Sequence, residues 1–333
     1  MRTGGKMKLL YWLDEWLTLS DNEKQAKLPT SSGDLLGDGY VKYHLGDRNK
    51  PLLFTWSPAG TDVQERDLNE DFAPWGYHLA QKQNVNIIAF QHLGKSNWFR
   101  NRNLIFFIEQ LSTLLSPFET KLGYGLSRGG FAVGAFAKLL KLDKVLLFHP
   151  VSTKNKLIAP WDDRSSTDIA QQYDWQGDYH DLDLGDAEGY IIYDPTNRID
   201  RQHAKRYKQL THLRVFGMGH GTHTTYLNKF GFYKQVAVDF IANQQIDIAQ
   251  FRLQTKTLRL KEDYYKKLNK ANANSPHRQA LLSTAHTILI DEKAAHVQEH
   301  QEKIDIQPLI DVAIKHQDEN PNNVKEACCC LIQ

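Results

Sequence analysis

Cysteine is nearly absent: the 333-residue chain has three, adjoining one another at Cys328, Cys329 and Cys330. No disulfide framework staples the body of such a chain, and no Cys/His spacing typical of a metal site is present. Long apolar runs are missing too, all falling well short of the ~20 residues that span a bilayer. Asp14 and Glu15 interrupt residues 1–19 where a signal peptide needs an apolar centre, so this amphipathic stretch reads as a docking helix of a cytoplasmic protein. Charge of one sign is also lacking. The formal net charge is +2, and no basic stripe interleaved with aromatics points to nucleic acid. No metal or organic cofactor is expected.

A chain of this length buries about three quarters of its unfolded surface, enough for one large core with an appendage. Residues 1–38 read as an N-terminal helix and linker, with turn signals at Ser31-Ser32-Gly33 and Gly37-Asp38-Gly39. Residues 39–245 alternate short apolar runs (40–45, 52–56, 85–90, 120–124, 144–148, 189–193 and 213–216) with helical stretches near 73–83, 103–115, 130–140 and 200–210. That alternation predicts a mostly parallel sheet with helices on both faces. Residues 149–188 lack periodicity and read as a lid-like insertion. Residues 246–317 predict a helical appendage over 251–268, 276–290 and 304–315, suited to packing or to a protein partner. Leu281, Ala285 and Ile288 have helical spacing there, and Pro276 suits a first turn. Residues 318–333 read as a flexible tail. Its last four residues, Cys330-Leu331-Ile332-Gln333, fit a farnesyl-type C-a-a-X box, with Cys328 and Cys329 as palmitate acceptors. In a eukaryotic cell this box predicts membrane attachment; unmodified, it is an ordinary tail.

The centre of the sequence carries the chemistry. Gly125-Leu126-Ser127-Arg128-Gly129 stands between a strand candidate and a buried helix candidate. In that context G-x-S-x-G predicts a nucleophile elbow, whose small residues let the backbone turn sharply enough to expose the serine hydroxyl. Asp194 follows the run 189–193 and His220 the run 213–216; serine, acid, histidine is the chain order of α/β-hydrolases. A serine hydroxyl needs a base to take its proton, and His220, flanked by glycine, is the candidate, with His223 as rival. The imidazole in turn needs an acid. Asp194 is preferred over Asp200, which reads as the cap of a helix starting at Arg201. The oxyanion needs backbone donors: the N–H of Arg128, and that of Ala59 or Gly60, since Pro58 has none. The Arg128 guanidinium either holds an anionic substrate or pairs with a carboxylate. Trp98 either contacts substrate or anchors its loop.

Asn97-Trp98-Phe99, Gly125 to Gly130, Pro150-Val151-Ser152-Thr153, Pro160-Trp161-Asp162-Asp163-Arg164, Tyr193-Asp194-Pro195 with Asp200-Arg201-Gln202-His203-Ala204, and Gly219-His220 together resemble a group of bacterial α/β-hydrolase-like proteins. Its members are often encoded beside surface-polysaccharide or glycosyltransferase genes. The resemblance covers roughly residues 40–240 and implies the fold, Ser127 and His220. Arg128 departs from the S-M-G-G usual in that group, and the terminal cysteines resemble instead the tails of prenylated small GTPases and of some injected bacterial effectors. The expectation is a serine esterase, thioesterase or acyltransferase acting on a small-molecule, glycan or lipid acyl ester. The alternative is an inactive hydrolase-fold scaffold that binds a protein partner at a membrane.

Overall fold

The computed structural model describes residues 7–28, 30–94, 98–164, 175–216, 219–220, 231–257, 264–266, 268 and 276–296. His223, the helix expected over 304–315 and Cys328, Cys329 and Cys330 lie outside these residues. The chain divides into two compact units. The first comprises Met1–Tyr193, Ile199–Leu213 and Lys234–Ile246, and the second Asp194–Arg198, Arg214–Tyr233 and Asp247–Gln333.

The first unit is built on an eight-stranded sheet: β1 (Thr30–Leu35), β2 (Gly39–Leu45), β3 (Leu52–Trp56), β4 (Asn86–His92), β5 (Lys121–Leu126), β6 (Lys144–Phe148), β7 (Glu188–Tyr193) and β8 (Thr211–Arg214). Their spatial order is β1-β2-β4-β3-β5-β6-β7-β8. Antiparallel pairing of β2 with β1 and β4 gives way to parallel pairing from β4 through β3, β5 and β6 to β7. This is the α/β-hydrolase order. β3 and β4 are buried along their whole length, as strands covered on both faces must be. On one face Trp56 stacks on Phe90 at 5.0 Å, and Phe90 meets Phe107 of α4 (Arg102–Ser112) at 6.2 Å. On the other, Thr55 donates to the Trp75 carbonyl just before α3 (Tyr77–Lys82).

At the N-terminus, α1 (Lys8–Thr18) buries Leu9, Leu13 and Trp16, which lie four and three residues apart and so share one helix face. The short α2 (Asp21–Ala26) is closed by a Ser20/Glu23 capping box. Two expectations change here. Ser31-Ser32-Gly33 is not a turn but part of edge strand β1, in register with β2 from Thr30 opposite Leu45 to Leu35 opposite Tyr40. A Cβ on Gly33 would meet the hydroxyl end of the Tyr40 ring, which would have to move aside. α3 starts at Tyr77 rather than 73, because Gly76, at φ 85°, still belongs to the preceding turn.

The nine-residue α5 (Arg128–Phe136) and α6 (Arg198–Ala204) follow the strands they cross over from. The described residues between β6 and β7 form no helix or strand; a single bridge joins Thr153 to Asp181. Beyond α7 (Phe232–Asn243), the second unit contains α8 (Ile248–Thr257) and α9 (Pro276–His296). There Phe232 packs on Phe251, Tyr265 stacks on His286, and Leu281, Ala285 and Leu289 are buried at helical spacing. No helix among the described residues is long and apolar enough to cross a membrane.

Candidate active site

Ser127 sits between the last residue of β5 and the first of α5, at φ 53° and ψ −111°. A serine rarely occupies this region, and such strain persists only where surrounding contacts enforce it. Here the contacts are backbone to backbone. The Ser127 N–H donates to the Phe148 carbonyl at 3.0 Å, while its carbonyl accepts from Phe131 at 3.0 Å and Val151 at 3.2 Å. Gly125 and Gly129 make the turn possible. A Cβ on Gly125 would lie 2.6 Å from the Gly129 carbonyl oxygen, and one on Gly129 would press into the Trp56 carbonyl. The start of α5 therefore rests directly on the end of β3, and the Arg128 N–H opens the helix there.

The side chain of Arg128 is fully buried, and the pairing alternative describes it. Its Nη2 donates to Asp62 Oδ1 at 2.6 Å and to the Pro58 carbonyl at 2.9 Å, its Nε reaches the Ser57 carbonyl at 3.4 Å, and its guanidinium lies 5.5 Å from the Phe99 ring centre. Burial pulls the Arg128 pKa down, and the hydrogen bond and charge of Asp62 oppose that shift. Ala59 and Gly60, the other oxyanion candidates, are exposed in the same loop. Nothing in the sequence singles out Asp62 beyond its place after Ser57-Pro58-Ala59-Gly60.

Asp194 and His220 belong to the second unit. The Asp194 carboxylate is fully buried. Its Oδ1 accepts from the Thr196 N–H at 2.8 Å and the Thr196 hydroxyl at 2.6 Å, and its Oδ2 from the Gly219 N–H at 2.7 Å. The acid expected to orient His220 is thus bonded to the residue immediately before it. His220 itself is half-buried. Asp200 does not cap a helix starting at Arg201: α6 begins at Arg198, which places Asp200 in the first turn, buried, with Oδ1 3.6 Å from Arg164. Trp98 is 4% exposed, edge-on to Phe131 and Trp175 with the Lys154 ammonium 5.1 Å from its ring centre. The loop-anchor reading accounts for these contacts.

Another Ser–His–Asp series escaped the sequence reading. Ser152 Oγ and N–H both reach His203 Nδ1, at 2.9 and 3.0 Å, and His203 Nε2 lies 3.1 Å from Asp162 Oδ2. Nδ1 accepts the Ser152 backbone N–H, and Nε2 faces both Arg164 Nη2, at 2.9 Å, and Asp162 Oδ2. Ser152 and His203 are 0% exposed and Asp162 1%, so no substrate carbonyl reaches this hydroxyl. The cluster is a clamp: Asp162 also pairs with Lys154 at 2.9 Å and Arg164 at 2.8 Å, joining residues 152–164 to α6. The sequence signals were the segments Pro150–Thr153, Pro160–Arg164 and Asp200–Ala204 quoted for the resemblance, which nothing in the sequence joined into one cluster.

Burial raises the Asp162 pKa, but hydrogen bonds from Arg164 and His203 outweigh it and hold the carboxyl well below the usual carboxylate range. Burial lowers His203 to about 4; the Asp162 hydrogen bond resists, while Arg164 and Lys154 add to the lowering. A histidine depressed on folding binds protons more readily in the unfolded chain, so its contribution is complete above its unfolded value and shrinks as pH falls toward 4. Urea denaturation is therefore expected to show stability falling between pH 6.5 and 4, with His203 responsible for about 3 kcal/mol of the change. His203→Gln should flatten the slope in that window.

No group of His, Cys, Asp and Glu suited to a metal ion occurs among the described residues. No family model and no curated protein sequence matches the chain. It is similar to solved structures at low identity. One is an esterase from the hyperthermophilic archaeon Pyrobaculum calidifontis, at 12% identity, covering 72% of this chain and 91% of that one, with TM-score 0.44. Another is a lidless α/β serine hydrolase from Xanthomonas campestris, at 11% identity, covering 66% and 95%, with TM-score 0.38. A third is the glycosylation-associated protein (Gap123) complex from Streptococcus agalactiae, at 11% identity, covering 63% and 46%, with TM-score 0.42.

Proposed function

We propose that this chain is a serine hydrolase of α/β-hydrolase fold that works through an acyl-enzyme. The observation that carries the reading is the backbone of Ser127, at φ 53° and ψ −111° between β5 and α5. A serine held in this strained conformation at a strand–helix turn fits a functional explanation, the presentation of its hydroxyl above the sheet. In this reading Ser127 Oγ attacks an acyl ester or thioester carbonyl while His220 takes its proton. The Arg128 N–H and that of Ala59 or Gly60 receive the developing oxyanion. His220 then returns the proton to the leaving group, and Asp194 holds the imidazole in the required tautomer. Water completes hydrolysis, and an acceptor hydroxyl in its place completes acyl transfer from the same acyl-enzyme.

The test is labelling with a fluorophosphonate, which phosphonylates an activated serine. Wild-type protein is expected to gain one label, on the peptide containing Ser127, and Ser127→Ala none. Folded wild-type protein that never labels overturns the enzyme and leaves the scaffold. Product analysis with a p-nitrophenyl ester, with and without an added alcohol, separates hydrolysis from acyl transfer.

A further inference from the structure

We propose that Arg128 is a positioning residue whose guanidinium, anchored on Asp62, fixes the loop that supplies the second oxyanion donor. The inference rests on the role proposed for Ser127 and adds to it what sets the distance between the two donors. One donor, the Arg128 N–H, is held by α5, whose start abuts the Trp56 carbonyl. The other belongs to the exposed pair Ala59 and Gly60, with Gly60 at φ 86° and open space around its Cα. Left to itself, such a loop tip samples many conformations.

It is tied on both sides. Before the pair, Arg128 holds the Ser57 and Pro58 carbonyls, and the His92 N–H donates to Ser57 Oγ at 3.1 Å. After it, Gln91 Nε2 donates to the Thr61 carbonyl at 2.7 Å, Thr61 Oγ1 turns back to the Pro58 carbonyl at 2.9 Å, and Asp62 returns to Arg128 at 2.6 Å. One residue thus presents a donor from its backbone and, through its side chain, clamps both flanks of the loop bearing the other. A guanidinium suits this task because its fixed fork of donors binds a carboxylate and a carbonyl together. Phe99 lies against its face and the Arg128 side chain is fully buried, while the Asp62 side chain is 29% exposed at the rim of the loop.

Oxyanion contacts strengthen in the transition state, so loosening the loop lowers kcat and leaves KM nearly unchanged. Two changes test this: Asp62→Asn, and the pair Asp62→Asn with Arg128→Met, which leaves no buried unpaired charge. Each is expected to lower kcat on a p-nitrophenyl ester, and the fluorophosphonate labelling rate of Ser127, by about 10- to 100-fold. The pH midpoint of kcat/KM is expected to stay in place, because the base is untouched. If wild type labels and both variants label at its rate, the positioning role is overturned and the reading of Ser127 stands. A loss that merely tracks the folded fraction seen by circular dichroism also overturns it. Wild-type protein that does not label overturns the reading of Ser127 and this inference with it.

Discussion

Ser127→Ala and His220→Ala are each expected to slow hydrolysis of an activated ester by about 10⁴- to 10⁶-fold, and the double variant to be no slower than the slower single one. A hydroxyl without a base holds its proton, and a base without a hydroxyl has nothing to activate, so the second loss removes nothing that remains. The residual rate belongs to the oxyanion donors and to binding. Asp194→Asn is expected to cost about 10⁴-fold in kcat, because an amide favours the wrong imidazole tautomer. It should differ from the other two in also lowering stability by about 1–3 kcal/mol. Oδ1 takes two donors from Thr196 and Oδ2 takes the Gly219 N–H, so an amide nitrogen at either position faces a donor. Kinetics of the three single variants and the double variant, with urea melts alongside, check both halves. Losses that add up across Ser127 and His220 would mean independent roles and remove the shared mechanism.

The parts of this protein legible in its sequence are those whose physics is local. Buried strands announce themselves as short apolar runs: 52–56, 144–148 and 189–193 correspond to β3 (Leu52–Trp56), β6 (Lys144–Phe148) and, within one residue, β7 (Glu188–Tyr193). The strand–helix turn at Ser127 is legible because the glycines beside it answer to backbone crowding there. β1 was hidden. An edge strand has a neighbour on one side only, so Ser31, Ser32 and Gly33 serve there although the same residues signal a turn elsewhere. Asp62 and Arg128 are 66 residues apart, and Asp162 and His203 are 41 apart; no short-range spacing encodes either pair. Asp200 misled for a related reason. As a polar residue ahead of a helical stretch it resembled a cap, whereas it lies buried within the first turn of α6, 3.6 Å from Arg164 of another segment.

Gly129→Ala is expected to leave little folded protein. A Cβ at this position would lie well under 3.0 Å from the Trp56 carbonyl oxygen and 3.0 Å from its carbon, and both belong to backbone in the centre of the sheet. No side-chain rotation relieves that overlap. Either α5 lifts off β3, opening the core where Trp56 stacks on Phe90 and Phe136, or β3 shifts out of register with β4 and β5. Both routes break several interactions at once, which puts the cost beyond about 4–5 kcal/mol, a large part of the stability of an ordinary domain. Gly46→Ala is the control: its Cβ would meet only the end of the His44 side chain, at 3.4 Å, and its effect should stay within about 0.5 kcal/mol. Gly60→Ala falls between them, since it meets nothing within 4 Å but must adopt φ 86°, a strain of about 1–3 kcal/mol. Thermal melts of the three variants should rank Gly46→Ala, Gly60→Ala, Gly129→Ala in falling stability. A Gly129→Ala protein that melts with the wild type would mean that the start of α5 does not press on β3. The strain at Ser127 would then lose the backbone contact that sustains it.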